Sequence, residues 1–269
     1  MGYRLAKDLK IPHVWHIREY GLLDHGWNHF PSKEKFDKLY TDKLNYSISI
    51  TDTVYLYHGS PRNGIVVYDG VFDANNVPKL KDEKEPYFLY VGRVIESKGV
   101  KDLLNVYIKY LHNVQEPCRL KIAGEGNLVS YINEWKQKNG CSDMIELLGY
   151  RKDIPELMSN AKCLIVPSPN EAFGFITAEG MFNGCLVVGK NTAGTKIQFD
   201  NCKKYAGRDL AVRYYTDEEM LCALINITLN QIEDIKEILA DAQQSVIGIY
   251  STDTSSAAVY NYYNKILGL

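Results

Sequence analysis

From residue 85 onward, short apolar runs alternate with longer segments whose apolar positions recur at helical spacing. Tyr87–Val91, Arg119–Ala123, Met144–Leu148, Cys163–Val166 and Cys185–Val188 read as strands, with Leu210–Tyr214 as a sixth. Helices are predicted between them over 98–114, 127–139, 154–160, 174–184 and 216–230. The first helix shows its period plainly, with Val100, Leu103, Leu104, Tyr107, Ile108 and Leu111 on one face. Such alternation predicts an α/β fold with a parallel sheet covered by helices on both faces. Ligands of these sheets bind beyond the carboxyl ends of the strands. Gly92, Gly124, Gly149 and Ser168 all fall at or near those ends, so one edge of the sheet collects the candidate site.

The first 84 residues follow the same logic more loosely. Pro12–Ile17, Tyr46–Ile50 and Gly64–Tyr68 read as strands, and Lys33–Lys43 as a helix. The polar, charged segment Asp73 to Pro86 predicts an interdomain linker, and Ser251 to Leu269 a final helix. The expected organisation is therefore a partial Rossmann-like unit over 1–84, a complete one over 85–250, and a terminal helix over 251–269.

Composition narrows the function. Lys and Arg number 31 against 33 Asp and Glu, a net charge of −2, which argues against nucleic acid as a partner. Cysteines 118, 141, 163, 185, 202 and 222 form no CxxC or Cys/His cluster, so reduced thiols and a cytoplasmic setting are expected. Met1-Gly2-Tyr3-Arg4 opens no long apolar stretch, Ala6 spoils a myristoylation signal, and no run approaches a membrane span; neither a leader nor an anchor is expected. No Asp-x-Asp occurs, so neither metal nor cofactor is expected.

The chemistry concentrates in Asn170-Glu171-Ala172-Phe173-Gly174-Phe175-Ile176-Thr177-Ala178-Glu179-Gly180. Glu171 leaves a strand and Glu179 lies on the next helix, eight positions later. The start of that helix offers unpaired backbone N–H groups, an anion site between two carboxylates that can each accept hydroxyl hydrogen bonds. A nucleotide-sugar, with its diphosphate between a ribose and a hexose, matches that arrangement. Macrodipole stabilisation of a helix-start glutamate is the plainer account, and it explains Glu171 better than Glu179.

This pattern resembles the Glu-x7-Glu signature of the family-4 retaining glycosyltransferases of GT-B fold. Three further segments resemble the family in order and spacing: Tyr90-Val91-Gly92-Arg93-Val94-Ile95-Glu96-Ser97-Lys98-Gly99, Leu120-Lys121-Ile122-Ala123-Gly124-Glu125-Gly126, and Leu148-Gly149-Tyr150 followed by Asp153-Ile154-Pro155-Glu156-Leu157. The resemblance covers roughly residues 85 to 200. It implies that Arg93 and Lys98 clamp the donor diphosphate, through charge-assisted bonds of about 1.5–3 kcal/mol each. It implies that Glu179 holds the ribose hydroxyls, and that Glu171 lies beside the donor sugar as a catalytic group. The backbone N–H groups near Gly174, Phe175 and Ile176 would meet the phosphate, Gly124 and Gly126 would form a tight turn that lets the nucleotide approach the sheet, and Phe173 and Gly92 would be donor-binding as well. Tyr150 and Arg151 would stack on the base or merely cover the sheet edge. His16, in His13-Val14-Trp15-His16-Ile17-Arg18-Glu19, resembles the family's strand-end histidine facing the donor sugar, with Glu19 a second candidate; an ordinary hydrogen-bonded histidine is the alternative. Gly124-Glu125-Gly126 also approaches a dinucleotide fingerprint, but lacks its third glycine and follows the second strand.

The resemblance implies transfer of a hexose, with retention, from a nucleoside diphosphate sugar to a glycan or lipid-linked glycan, as in polysaccharide biosynthesis. A UDP-sugar is the commonest donor, and the work would be done in the cytoplasm or at the inner face of the membrane through peripheral contact. Against the family pattern, the first half of the N-terminal domain is missing. That leaves open edges for self-association or a partner chain, and leaves a second reading open: a donor-binding module needing its missing half. Epimerisation of a nucleotide-sugar is a third. Two departures bear on donor choice: Cys185-Leu186-Val187-Val188-Gly189 lacks the usual proline, and after Thr192-Ala193-Gly194-Thr195, read as a small-residue loop, Lys196-Ile197-Gln198 stands where a Glu often follows.

Overall fold

The computed structural model describes residues 2–26, 32–42 and 45–269. Its first part holds α1 (Gly2–Leu9), β1 (His13–Ile17), α2 (Leu22–His25), α3 (Lys33–Tyr40), β2 (Asn45–Ser49), α4 (Asp52–Tyr57) and β3 (Gly64–Val66). These strands form a parallel sheet in the order β1-β2-β3. The second part begins with β4 (Glu85–Val91), α5 (Val100–Asn113), β5 (Arg119–Ala123), α6 (Val129–Lys138), β6 (Ile145–Gly149), α7 (Ile154–Asn160) and β7 (Ala161–Val166). It continues with α8 (Phe175–Phe182), β8 (Val187–Lys190), α9 (Ala193–Ala206), β9 (Val212–Tyr214), α10 (Asp217–Thr228), α11 (Ile235–Tyr250) and α12 (Thr252–Leu267).

The second sheet is parallel with the order β6-β5-β4-β7-β8-β9. The chain builds outward from β4 through β5 to β6, then returns to the other side of β4 with β7. The order therefore reverses between β4 and β7, and the crevice beyond their carboxyl ends is where an open sheet of this kind takes its ligand.

Alternation along β4 explains the layers. Phe88 faces a core with Leu103 and Tyr107 of α5 and Leu224 of α10. Leu89, its neighbour, faces the opposite core with Met181 of α8, Phe199 of α9 and Val246 of α11. All of these are fully or nearly fully buried, which is the strand period of two expressed as two covered faces. The last helix, α12, returns to the small sheet. Its Tyr262 packs with Ile48 and Val67 and donates a hydrogen bond to Asn63 O.

The structure corrects several sequence expectations. The strand after α8 starts at Val187, not Cys185. The turn closing α8 uses Gly184 with φ +65° and bonds Cys185 N–H back to Gly180 O, so Cys185 belongs to the helix exit, while Leu186 O already accepts from Leu164 N–H of β7. The expected loop at Thr192–Thr195 instead opens α9, and α11 was not foreseen. The buried stripe of α11 includes Gln243 and Ser245, which interrupts the apolar period. The helix expected over Lys33–Lys43 ends at Tyr40 with Thr41 as its cap; Lys43 lies outside the described residues. The expected linker ends before Pro86, because β4 already begins at Glu85. That connecting segment is clasped: Lys84 Nζ donates to Ser159 O and Gly184 O at 2.7 Å each, and Gln243 Nε2 donates to Pro78 O at 2.9 Å.

Candidate donor site

β7 ends at Val166, and the chain reaches α8 through Pro167–Gly174. Gly174 occupies the cap position with φ +83°, in the left-handed region that favours glycine. The N–H groups of Phe175 and Ile176 find no acceptor among the described residues. Gln198, fully buried on α9, donates through Nε2 to both Phe173 O and Gly174 O. The N–H of Gly194 donates to Glu171 O at 2.7 Å, and Thr51 Oγ1, at the end of the small sheet, donates to Ala172 O at 3.0 Å. Two separate elements, α9 through Gln198 and Gly194 and the start of α4 through Thr51, thus hold the backbone that carries Glu171.

A cavity of about 310 Å³ lies over this loop, lined among others by Lys98, Ser168, Glu171, Ile176 and Glu179. Lys98 Nζ sits 2.6 Å from Glu171 Oε1, with the two side chains only 15% and 17% exposed. The Glu179 carboxylate has no hydrogen-bond or ion-pair partner among the described residues, and burial raises its pKa above the usual carboxylate value. Ser168 Oγ is buried without a hydrogen-bond partner among the described residues. Tyr90, at the back, donates to Arg93 O at 2.8 Å; burial, reinforced by the Glu171 charge, pushes its phenol well up.

A second cavity of about 460 Å³ shares Val91 and Gly92 with the first and extends along Arg93, Gly124, Glu125, Tyr150 and Arg151. Gly124 has φ +146°, and a β-carbon there would stand 1.9 Å from Gly92 O. Only glycine permits that approach of β4 and β5. Arg93 is exposed and makes no ion pair among the described residues, whereas Arg151 pairs with Asp153 through Nε at 2.8 Å. Tyr150 is 72% exposed and flanks the cavity with its ring free of packing.

The structure therefore brings together Gly92, Lys98, Glu171, Gly174, Phe175, Ile176 and Glu179 around one cavity, and Arg93, Gly124 and Tyr150 around its extension. Four expected residues lie elsewhere. Phe173 turns into the core against Tyr68 and Tyr250, because its carbonyl is held by Gln198. Gly126 lines neither cavity and lies against Val94 O, where a β-carbon would come within 2.1 Å. His16 bonds through Nε2 to Tyr263 of α12 at 2.8 Å and borders neither cavity; burial, then the Arg18 charge, lowers its pKa. Glu19 borders neither cavity. Gln198, Gly194 and Thr51 went unrecognised as site residues, although Gln198 stood in a departure from the family pattern; Ser168 was expected only through its place at a strand end.

Residues 71–204 match the family described as Glycosyl transferases group 1. The chain carries a Glycosyl transferases group 1 domain. It is 30% identical over 206 residues to an uncharacterized glycosyltransferase of Methanocaldococcus jannaschii, covering 72% of this chain and 53% of that protein. It is 24% identical over 185 residues to the D-inositol 3-phosphate glycosyltransferase of Corynebacterium jeikeium, covering 66% and 43%. The chain thus spans about half the length of the curated relatives it matches. Among solved structures, Anabaena HepE in complex with UDP superimposes with a TM-score of 0.82 at 16% identity, over 98% of this chain and 75% of that one. A TarM mutant from S. aureus, in complex with UDP among other ligands, gives 0.76 at 17% identity, over 98% and 54%. The fold is of the GT-B glycosyltransferase type. No described helix is long and apolar enough to cross a membrane.

Proposed function

We propose that this chain binds the donor half of a family-4 retaining glycosyltransferase reaction, and moves a hexose from a nucleoside diphosphate sugar to a hydroxyl of a glycan or lipid-linked glycan. The observation that carries this reading is the cavity at the β4/β7 switch point. It combines one lysine, two carboxylates and the open N–H groups of α8. Lys98 and the α8 amino end receive the diphosphate, Arg93 approaches it from the neighbouring cavity, and Glu179 accepts hydrogen bonds from the ribose. Glu171 then lies beside the sugar. As the bond from the anomeric carbon to the diphosphate breaks, negative charge grows on the departing nucleotide, and the cations stabilise it. The acceptor hydroxyl oxygen forms the new bond to the anomeric carbon and passes its proton to the departing diphosphate oxygen. UDP is the favoured nucleotide, since HepE and TarM were both solved with it. No metal or cofactor takes part in this scheme. The place of action is the cytoplasm, with peripheral contact at the membrane face where lipid-linked acceptors sit.

A second reading rests on the apolar surface of the first part. Leu5, Leu9, Ile11 and Leu56 are each more than half exposed, a pattern that a further segment or partner chain would cover. In that reading the chain is a donor-binding module that needs its complement for transfer.

Calorimetric titration with UDP, GDP and ADP, alongside Glu179→Ala, tests both. One diphosphate is expected to bind, and the variant to lose roughly 2–3 kcal/mol, about 30- to 150-fold. Binding without transfer to any acceptor supports the module. No binding by any of the three to a folded sample overturns both readings.

A further inference from the structure

A second recess lies at the opposite edge of the large sheet from the donor cavity. It opens near Lys162 at the start of β7, between the segment preceding β4 and the first residues of α11, and encloses about 170 Å³. Its floor is apolar, built from Leu186, Ile227, Ile232, Ile235 and Leu239. Its rim carries four lysines, Lys81, Lys84, Lys162 and Lys236, against one carboxylate, Asp82.

The charges are poorly matched. Asp82 is taken by Lys236 at 2.6 Å. Lys162 donates to Asn230 Oδ1 at 2.7 Å, Lys81 to Asn160 Oδ1, and Lys84 to two carbonyls. Those acceptors orient three ammonium groups without neutralising any of them. Burial holds the Lys84 ammonium below its usual pKa. In a chain of net charge −2 this is a local excess of three positive charges beside an apolar floor.

We propose that this recess binds a small amphiphilic phosphate monoester, its dianion held by Lys81, Lys84 and Lys162 and its carbon chain on the floor. A dianion answers three uncompensated cations better than a carboxylate does. At about 30 Å³ per water-sized group, the cavity takes roughly six atoms, so the buried part of the tail is short. A lipid phosphate headgroup and a soluble phosphate ester share this chemistry. Because Lys81 and Lys84 lie on the segment joining the two sheets, occupancy would brace that connection far from the donor cavity.

The test is calorimetric titration of the full chain with hexyl phosphate, hexanol and inorganic phosphate. Hexyl phosphate is expected to bind at least tenfold more tightly than either of the others. The pair Lys81→Gln and Lys162→Gln is expected to weaken it about tenfold, and either alone about threefold, which keeps the test usable if the pair disturbs folding. Affinity for the donor diphosphate should not change in these variants, so failure here is distinguishable from failure of the donor reading. Sedimentation with phosphatidylcholine vesicles containing phosphatidic acid separates the sources. Capture that the variants lose assigns a lipid headgroup, and hexyl phosphate binding without capture assigns a soluble ester. Hexyl phosphate binding no tighter than inorganic phosphate, or equally to wild type and variants, would overturn the proposal.

Discussion

Replacing Glu171 by Gln tests the donor site where its two functions conflict. In the free chain Glu171 is the counter-ion of Lys98, 2.6 Å away, and both side chains are largely withdrawn from solvent. Removing one partner of a buried ion pair costs about 3–5 kcal/mol, because the other charge is left behind. The residual exposure of this pair lowers the expectation to about 2–3 kcal/mol. For a chain of this size that is a fall in Tm of about 4–12 °C. A bound diphosphate would replace the missing carboxylate, so it should restore much of that loss. Thermal unfolding with and without the nucleoside diphosphate selected by titration reads this directly. The ligand should raise the Tm of Glu171→Gln more than that of wild type and bind it up to tenfold more tightly, while sugar transfer falls. Adding Lys98→Met should abolish the difference, completing a double-mutant cycle. If Glu171→Gln is as stable as wild type, and the ligand shifts both equally, Lys98 is neither restrained by Glu171 nor aimed at the phosphates.

Three other outcomes are expected. Glu179 carries a raised pKa caused by burial, so its charged form costs the native state stability above the raised folded value, and that cost is relieved as pH falls through it. Donor affinity should fall over the same descent, since a protonated carboxyl holds ribose hydroxyls less well, and Glu179→Gln should flatten the affinity profile while unfolding at equal or higher temperature. Gly124→Ala places a methyl group against Gly92 O in a backbone region that only glycine occupies readily, so denaturant unfolding should show a loss of about 2–4 kcal/mol together with weaker nucleotide binding. Lys84→Met leaves Ser159 O and Gly184 O without their donor, so a loss of about 1–3 kcal/mol is expected in the same assay, with the donor cavity unaffected.

The sheet was legible because its strands are short, apolar and bounded by glycines. Arg119–Ala123 and the helix over 154–160 match to the residue. The cavity was legible to the extent that its lining follows β4 and β7 in the chain, with Lys98 and Glu171 on the connections leaving those strands and Glu179 on α8. Residues acting through their backbone partners were not. Gln198 reads as a polar position just past an expected small-residue loop, and its burial against Phe173 O and Gly174 O arises only once α9 packs on α8. Thr51 is 121 positions from the carbonyl it holds, a distance no local pattern encodes. Phe173 failed for the converse reason. Its place within the motif suggested ligand contact, but its ring had a core to fill, with Tyr250 waiting on α11.

The bond from Thr51 Oγ1 to Ala172 O ties the small sheet to the backbone that carries Glu171 in the proposed donor cavity. Thr51 stands at the first turn of α4, directly after β2, and Ala172 adjoins Glu171. Any rocking of the small sheet therefore tugs on the segment that sets the Glu171 carboxylate and, through it, Lys98. Under the proposed function, an acceptor lodged against the small sheet would act on this segment without touching the donor. Coordination between the two parts of the chain would then run through this hydroxyl and the Tyr68–Phe173 ring contact beside it.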